Sequence, residues 1–491
     1  QINYDFHWQR ALIRKEAKHG GIYINGRIIF ILIVLVSCYA SASGREYTAD
    51  YWQQMGDGFL KKGSFTVALD CYEKFIELDG LNSSAWMKKG EALSALEQYS
   101  EALIAYNESI KRDNNIAEAW YGKGLVLAHL GLYNESISAL DESIRLQPRS
   151  ALSWYSKGIA LANLRSFNES LLAFERALEL EGNLSGAWYY KALILADLGE
   201  DRESIAAFQE SVKLNPENED AWFNLGLVFS NLGDYSSAFL AYENVTEMNP
   251  INAPAWTRKG EALLALGRYS ESSDALGRAC EIEPDDSSIW QSYASALRLS
   301  GKYSQSIAAY NKSIELDATN PDSWNGLALS YLELGDGNRS LEMLEKAVEL
   351  DPDEIGFQYN KALALDKLGN YSEEASVLRR SVETHPECAV CWNMLGLALA
   401  KLESFNEAMD AYDKAIMLDS DYLDPWINRG ISLMMGHDDY IEALKSFDKA
   451  IDIDPNCMEA WANKAIALRL SDRGIESNAA LEKAKKLGYD G

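Results

Sequence analysis

At 491 residues, with 47% hydrophobic and 24% charged residues, the chain has the composition of a folded protein with a large core to bury, not of a disordered one. Its formal charge of -28 argues against nucleic acid as a partner, since an acidic body repels phosphate backbones, and favours cationic ligands wherever charge decides. Six cysteines (Cys38, Cys71, Cys280, Cys388, Cys391 and Cys457) are too sparse for a disulfide scaffold and leave the redox compartment open.

In chain order, the first feature is a basic stretch. Residues 1–27 carry Arg10, Arg14, Lys15, Lys18 and Arg27 against Asp5 and Glu16, and nine unbroken apolar residues, Ile28 to Val36, come next. A run of that length falls short of the roughly 20 residues that span a bilayer, but it suits the core of a secretory signal, and Ala40-Ser41-Ala42 offers small residues for cleavage after Ala42. Three alternatives stand beside cleavage. The run is retained as a membrane tether through residues 28–40; Leu35-Val36-Ser37-Cys38, which resembles a lipobox, directs lipidation of Cys38; or the run is a buried N-terminal helix packed on the folded body. The last fits poorly with a run that is apolar on every side. Nine N-x-S/T sites, at Asn82, Asn107, Asn134, Asn168, Asn183, Asn244, Asn311, Asn338 and Asn370, accord with an exported chain.

From residue 49 the sequence repeats. Trp stands at 52, 86, 120, 154, 188, 222, 256, 290, 324, 392, 426 and 461, a spacing of 34 with Gln358 in the one gap and a slip of one residue before Trp461. Within one period, residues 119–148, the apolar positions Trp120, Leu127 and Leu130 and then Ile137, Leu140 and Ile144 fall at helical spacing on either side of the turn "LGLY". Pro148 and its counterparts Pro216, Pro250, Pro284, Pro352, Pro386 and Pro455 stop the second helix. Each period is therefore expected to be a helical hairpin, about thirteen in all.

The pattern resembles the tetratricopeptide repeat family. In the sixth period its large, small, large, small, large and Pro positions are Trp222, Gly226, Phe229, Ala238, Tyr242 and Pro250. The resemblance covers residues 49–491 and implies an all-α solenoid that winds into a right-handed superhelix with a concave inner face. The expected organisation is a signal or anchor segment over 1–43 and one continuous array over 44–491. Two departures are informative. Position 20, where the two helices of a hairpin approach, is Ser136, Ser170, Ser204, Ser272, Ser306, Ser340 and Ser477 in seven periods and Glu374 in the tenth, which also lacks its Trp. Position 7 is Lys or Arg in eight periods (Lys89, Lys123, Lys157, Lys191, Lys259, Lys361, Arg429 and Lys464), whose stems cover apolar surface while the charged tip reaches water.

Little chemistry remains once the repeats are accounted for. No G-x-S-x-G, P-loop or H-E-x-x-H pattern occurs, and the expectation is a protein that is not an enzyme and needs no cofactor. The one metal-like cluster is His385, Cys388 and Cys391, which lacks a fourth ligand for zinc; packing in the turn or an isolated disulfide are the competing readings.

The resemblance places ligands on the first helix of each hairpin. There the third to sixth periods carry Tyr121, Tyr155, Tyr189 and Phe223 in one row, with Asn163, Asp197 and Asn231 as hydrogen-bonding edges, a candidate peptide-binding groove. The Lys and Asn pair with which family members grip a chaperone's carboxylate tail is absent, and the Asn ladder of the glycosyltransferase superhelix is reduced to Asn224, Asn360, Asn428 and Asn463. The expected function is a protein-protein interaction scaffold, exported or tethered to a membrane, that binds extended protein or peptide segments, basic ones by preference; the alternative is a cytoplasmic adaptor or co-chaperone.

Overall fold

The computed structural model describes residues 47–490. The apolar run and the 1–43 segment, with the cleavage, tether and lipidation readings that depend on them, lie outside the described residues. Among the described residues there are 26 α-helices and no strand, from Ala49–Lys61 to Gly474–Lys486, two to each period of the sequence. None of these helices is long and apolar enough to cross a membrane. The chain divides after Pro250 into two compact units, of which the first holds six hairpins and the second seven. Within each unit every helix packs on its neighbours in sequence, and in most successive hairpins the first helices also touch. The all-helical stack of hairpins expected from the tryptophan spacing is the architecture found.

One hairpin explains the rest. In the third, helix Ala117–His129 ends at a turn where Gly131 has φ 75°, and the Leu132 N–H reaches back to the Leu127 carbonyl at 2.9 Å. Helix Tyr133–Leu146 then stops ahead of Pro148. Four periods make the same left-handed turn without glycine, at Glu97, Arg165, Glu403 and Asp472. The slip before Trp461 arises in the twelfth hairpin, whose first helix, Leu423–His437, runs 15 residues instead of 13 and closes on Asp438 at φ 51°.

Close packing between the paired helices dictates the small residues. A Cβ at Gly226 would stand 2.6 Å from the ring of Tyr242, which is fully buried. The serines at position 20 are not mere substitutes for alanine. Ser136, Ser170, Ser204, Ser272, Ser306 and Ser477 each donate to the carbonyl twelve residues earlier, on the facing helix, over 2.6–2.9 Å. These bonds pin the helices of a hairpin to each other at their closest point.

The tryptophans add a polar anchor to their packing. In hairpin after hairpin the indole N–H donates to a carbonyl six residues upstream, as Trp188 does to Gly182 at 3.0 Å and Trp392 to Pro386 at 3.0 Å, tying the first turn of a hairpin to the loop before it. Gln358, in the gap, keeps the bond: its Nε2 donates to the Pro352 carbonyl at 2.6 Å, and its Oε1 accepts from the Ser381 hydroxyl. The tenth hairpin has therefore lost an aromatic ring but not the polar anchor that goes with it.

Candidate binding surface on the first helices

The aromatic row belongs to the first unit and is set by four helices, Ala117–His129, Ala151–Asn163, Ser185–Asp197 and Glu219–Asn231. All four rings are half-buried, and each of the last three leans on the large residue of the second helix of its own hairpin: Tyr155 on Phe174 with centroids 6.0 Å apart, Tyr189 on Phe208 at 6.0 Å, and Phe223 on Tyr242 at 5.7 Å. Tyr155 is the most enclosed. Its ring also meets Tyr190 of the next hairpin at 6.1 Å, and its hydroxyl stands over Gly186, where a Cβ would approach it to 2.7 Å. Burial pushes the Tyr155 hydroxyl well above the ordinary tyrosine range, and Tyr190, Tyr121 and Tyr189 nearby add to the effect. Burial likewise raises Tyr121, against the opposing pull of its hydrogen bond with Ser156. Tyr121, Tyr155 and Tyr189 thus form one half-buried group anchored in the core.

Below them the aliphatic floor is largely interior. Ile159 and Leu193 are 3% exposed and join the core cluster of the first unit, while Ala128 and Ala162 are buried. The polar edge lies apart from the rings. Asn163, Asp197 and Asn231 sit at the last residue of their helices, eight positions beyond the aromatics, which is about 12 Å along the axis and about 80° around it. Asn163 donates to its own helix at the Ile159 carbonyl over 3.0 Å, whereas Asp197 and Asn231 are exposed. His129, at the same register, stacks on Tyr99 at 4.6 Å with the rings 6° from parallel. The face therefore offers half-buried aromatic rings at one level and hydrogen-bonding groups at another.

In the second unit the register of the aromatic row includes Gln291, Asn325 and Asn393. Asn360 donates to Asn325 at 2.8 Å and Asn428 to Asn393 at 3.0 Å, each bond joining one hairpin to the next, and Asn393 in turn donates to the Tyr422 hydroxyl at 3.2 Å. Asn320 donates to Gln291 at 3.1 Å. The sequence signal for these bridges is Asn360 and Asn428 themselves. Read as remnants of a ladder along one register, they are instead halves of pairs whose acceptors stand one register away.

The position 7 cations make a second recurring device. Lys89, Lys157, Lys191, Lys361, Arg429 and Lys464 each reach an acid sixteen residues earlier, on the preceding hairpin, as in Lys157–Asp141 at 2.6 Å and Lys191–Glu175 at 2.9 Å. Several of these ammonium groups also lie over the tryptophan of their own hairpin, Lys157 at 5.4 Å from the Trp154 ring and Lys464 at 5.1 Å from Trp461. Their stems pack and their tips bridge hairpins across a shallow groove.

The His385, Cys388 and Cys391 cluster does not make a metal site. Cys388 and Cys391 are joined in a disulfide, the Cys388 sulfur also accepts the Cys391 N–H at 3.1 Å as the cap of helix Ala389–Lys401, and His385 is engaged with the Thr384 hydroxyl at 3.0 Å. Thiols bonded to each other cannot ligate zinc as thiolates. Among the described residues no group of three or more His, Cys, Asp or Glu is arranged to hold a metal ion.

Family profiles described as TPR repeat match residues 192–233 and 294–335, and profiles described as tetratricopeptide repeat match 54–115, 95–151, 121–183, 229–296, 325–387 and 389–422, together most of the chain. The chain belongs to the tetratricopeptide repeat family. No curated protein sequence matches this TPR chain significantly. Solved structures that resemble it include a chain of the APC/C hetero-tetramer Cut9-Hcn1, with 15% identity over 88% of this chain and 99% of that one and a TM-score of 0.39. Yeast Tom70 matches with 14% identity over 90% and 92% and a TM-score of 0.37. YrrB, described as a TPR protein with an unusual peptide-binding site, matches with 23% identity over 38% of this chain and 95% of its own, with a TM-score of 0.33.

Proposed function

We propose that this TPR protein is an interaction scaffold, exported or held at a membrane, that takes an extended segment of a partner protein along the first helices of residues 117–231. The observation that carries the reading is the paired arrangement of that face: a contiguous group of half-buried tyrosines rooted in the core, with Asp197 and Asn231 exposed about 12 Å further along the helices. Aromatic side chains held by packing limit the entropy lost on binding, and the polar level supplies partners for a backbone or a basic side chain. Export is supported by the apolar run, by seven sequon asparagines that are exposed (Asn107, Asn134, Asn168, Asn183, Asn311, Asn338 and Asn370), and by the Cys388–Cys391 disulfide, a bond that persists best in oxidising compartments.

Two experiments test the two halves. Partners recovered quantitatively with the native chain should be depleted when Asp197 and Asn231 are both replaced by Lys, exposed changes that leave folding intact; an unchanged set of partners would rule out this face. N-terminal sequencing of the native protein should find a start at Ser43 or at a modified Cys38. A retained Arg10 would exclude cleavage, and recovery of that uncleaved chain away from membranes would favour the cytoplasmic adaptor instead.

A further inference from the structure

The groove crossed by the position 7 cations lacks its clasp where Tyr293, Leu327 and Leu395 hold position 7 in the second unit, and beside Trp392 of the last of these it is wide. Beside Trp86 the groove holds about 320 Å³, and Lys89 spans it to reach Glu73 at 2.8 Å. Beside Trp392 it holds about 640 Å³. Both halves of the clasp are missing there: position 7 is Leu395, and the acid of the preceding hairpin is replaced by Arg379, which turns aside to pair with Glu407 at 2.5 Å. No ammonium from this position covers the Trp392 ring. The result is an apolar trough floored by Val382, Trp392, Leu395 and Leu399 and overhung by Met417, which is 69% exposed.

Charge indicates what such a trough would accept. Its rim carries four acids, Glu383, Glu407, Asp410 and Asp413, against Arg379 and Lys414. Glu407 is taken by Arg379 and Asp413 by Arg429, but Glu383 and Asp410 are exposed and make no ion pair among the described residues. A cation over an uncovered tryptophan face, next to free carboxylates, restores what Lys supplies from within in the sister hairpins. An exposed methionine over an apolar floor adapts to side chains of varied shape.

We propose that the groove between the tenth and eleventh hairpins docks a basic amphipathic segment of a partner protein. An apolar side chain enters beside Trp392 and Met417 while flanking Lys or Arg residues meet Glu383 and Asp410 and approach the indole face. This surface is separate from the first-helix face and does not depend on the reading given to it.

The test uses the full chain labelled with 5-fluorotryptophan, the Trp392→Phe variant to assign the resonance, and two synthetic helical peptides. One places Leu and Lys on opposite faces; the other has Glu in place of every Lys. The Leu/Lys peptide should shift the Trp392 resonance saturably and more than any other tryptophan, and the Leu/Glu peptide should not. Replacing Glu383 and Asp410 together by Lys should weaken binding at least tenfold. Leu395→Lys should do the same by placing a charged side chain in the apolar floor, and because Leu395 is buried, Met417→Lys at an exposed position provides an independent block. Equal shifts from the acidic peptide, shifts spread evenly over the tryptophans, or affinity unchanged in the rim and Met417 variants would overturn the proposal. So would a Trp392 resonance that moves with protein concentration alone, with dimers in sedimentation, since the trough would then be covered by a second copy.

Discussion

Arg165 adopts φ 60° in a turn where Gly131 serves the third hairpin, as do Glu97 at 61° and Glu403 at 60°. A side chain in the left-handed region costs roughly 1–2 kcal/mol, partly offset by the greater unfolded entropy of glycine. Arg165→Gly and Glu403→Gly should each therefore stabilise the local hairpin by about 0.5–1 kcal/mol, measured as slower amide exchange in the flanking helices. Tyr155 makes the opposite case. With its ring on Phe174 and Tyr190 and its hydroxyl over Gly186, Tyr155→Ala should cost about 2–4 kcal/mol of local stability as a packing defect, whereas Tyr155→Phe should cost far less. Any loss of binding in the alanine variant would consequently mix folding with contact, which is why exposed Asp197 and Asn231 are the better probes. The spacing of the tyrosines along the sequence reveals which side of the helix they share. It does not reveal how far neighbouring hairpins cover them, because periodicity describes one helix and burial depends on three. The serine bonds are hidden for a similar reason: a hydroxyl's partner twelve residues away exists only once two helices are paired.

Among the helices, Tyr371–Thr384 carries the sharpest conflict. Glu374 occupies the slot that serine fills elsewhere; it is 2% exposed and its Oε2 has no hydrogen-bond partner. Burial pushes its carboxyl up to about 7, with Asp366 adding to the rise and Lys401, which pairs with Asp366, opposing it. Because the native group binds its proton more tightly than the unfolded one, the unfolded chain releases that proton first as pH rises from about 4.5. Stability of the tenth hairpin should therefore fall between about pH 4.5 and 7, by on the order of 1–3 kcal/mol, and stay low above that. Glu374→Ser should flatten the profile, read by hydrogen exchange across residues 355–384 at several pH values; an unchanged slope would show that another group titrates. Limited proteolysis near neutral pH should likewise cut first in this hairpin. Gln358, which the missing tryptophan marks as a second defect, is in fact anchored at both ends, and Gln358→Leu should cost about 1–3 kcal/mol by stranding the Pro352 carbonyl and leaving the Ser381 hydroxyl only the Val377 carbonyl at 3.1 Å.

Across the whole molecule, the stack of hairpins is legible in the sequence because one residue type recurs at one interval; so is the extra residue of the twelfth hairpin, though not that it lengthens the first helix. The position 7 cations are legible as snorkelling stems. Their bridges to the preceding hairpin are not, since the acids lie sixteen residues away on another element. The amide pairs of the second unit and the open groove beside Trp392 escape for the same reason: each is a relation between hairpins. With a formal charge of -28 and the basic partner segment proposed above, association should slow as salt rises while dissociation, governed by apolar contacts, changes little. Whether a partner segment lies along the first helices of the first unit can be read by site-specific photo-crosslinking of the native full chain. The photoreactive residue is placed at Asp197 or Asn231, with Glu175 and Arg176 on a second helix as controls. The same partner protein should be captured from both first-helix positions and from neither control. Equal capture at all four positions, or capture from the second helix alone, would refute a first-helix binding face.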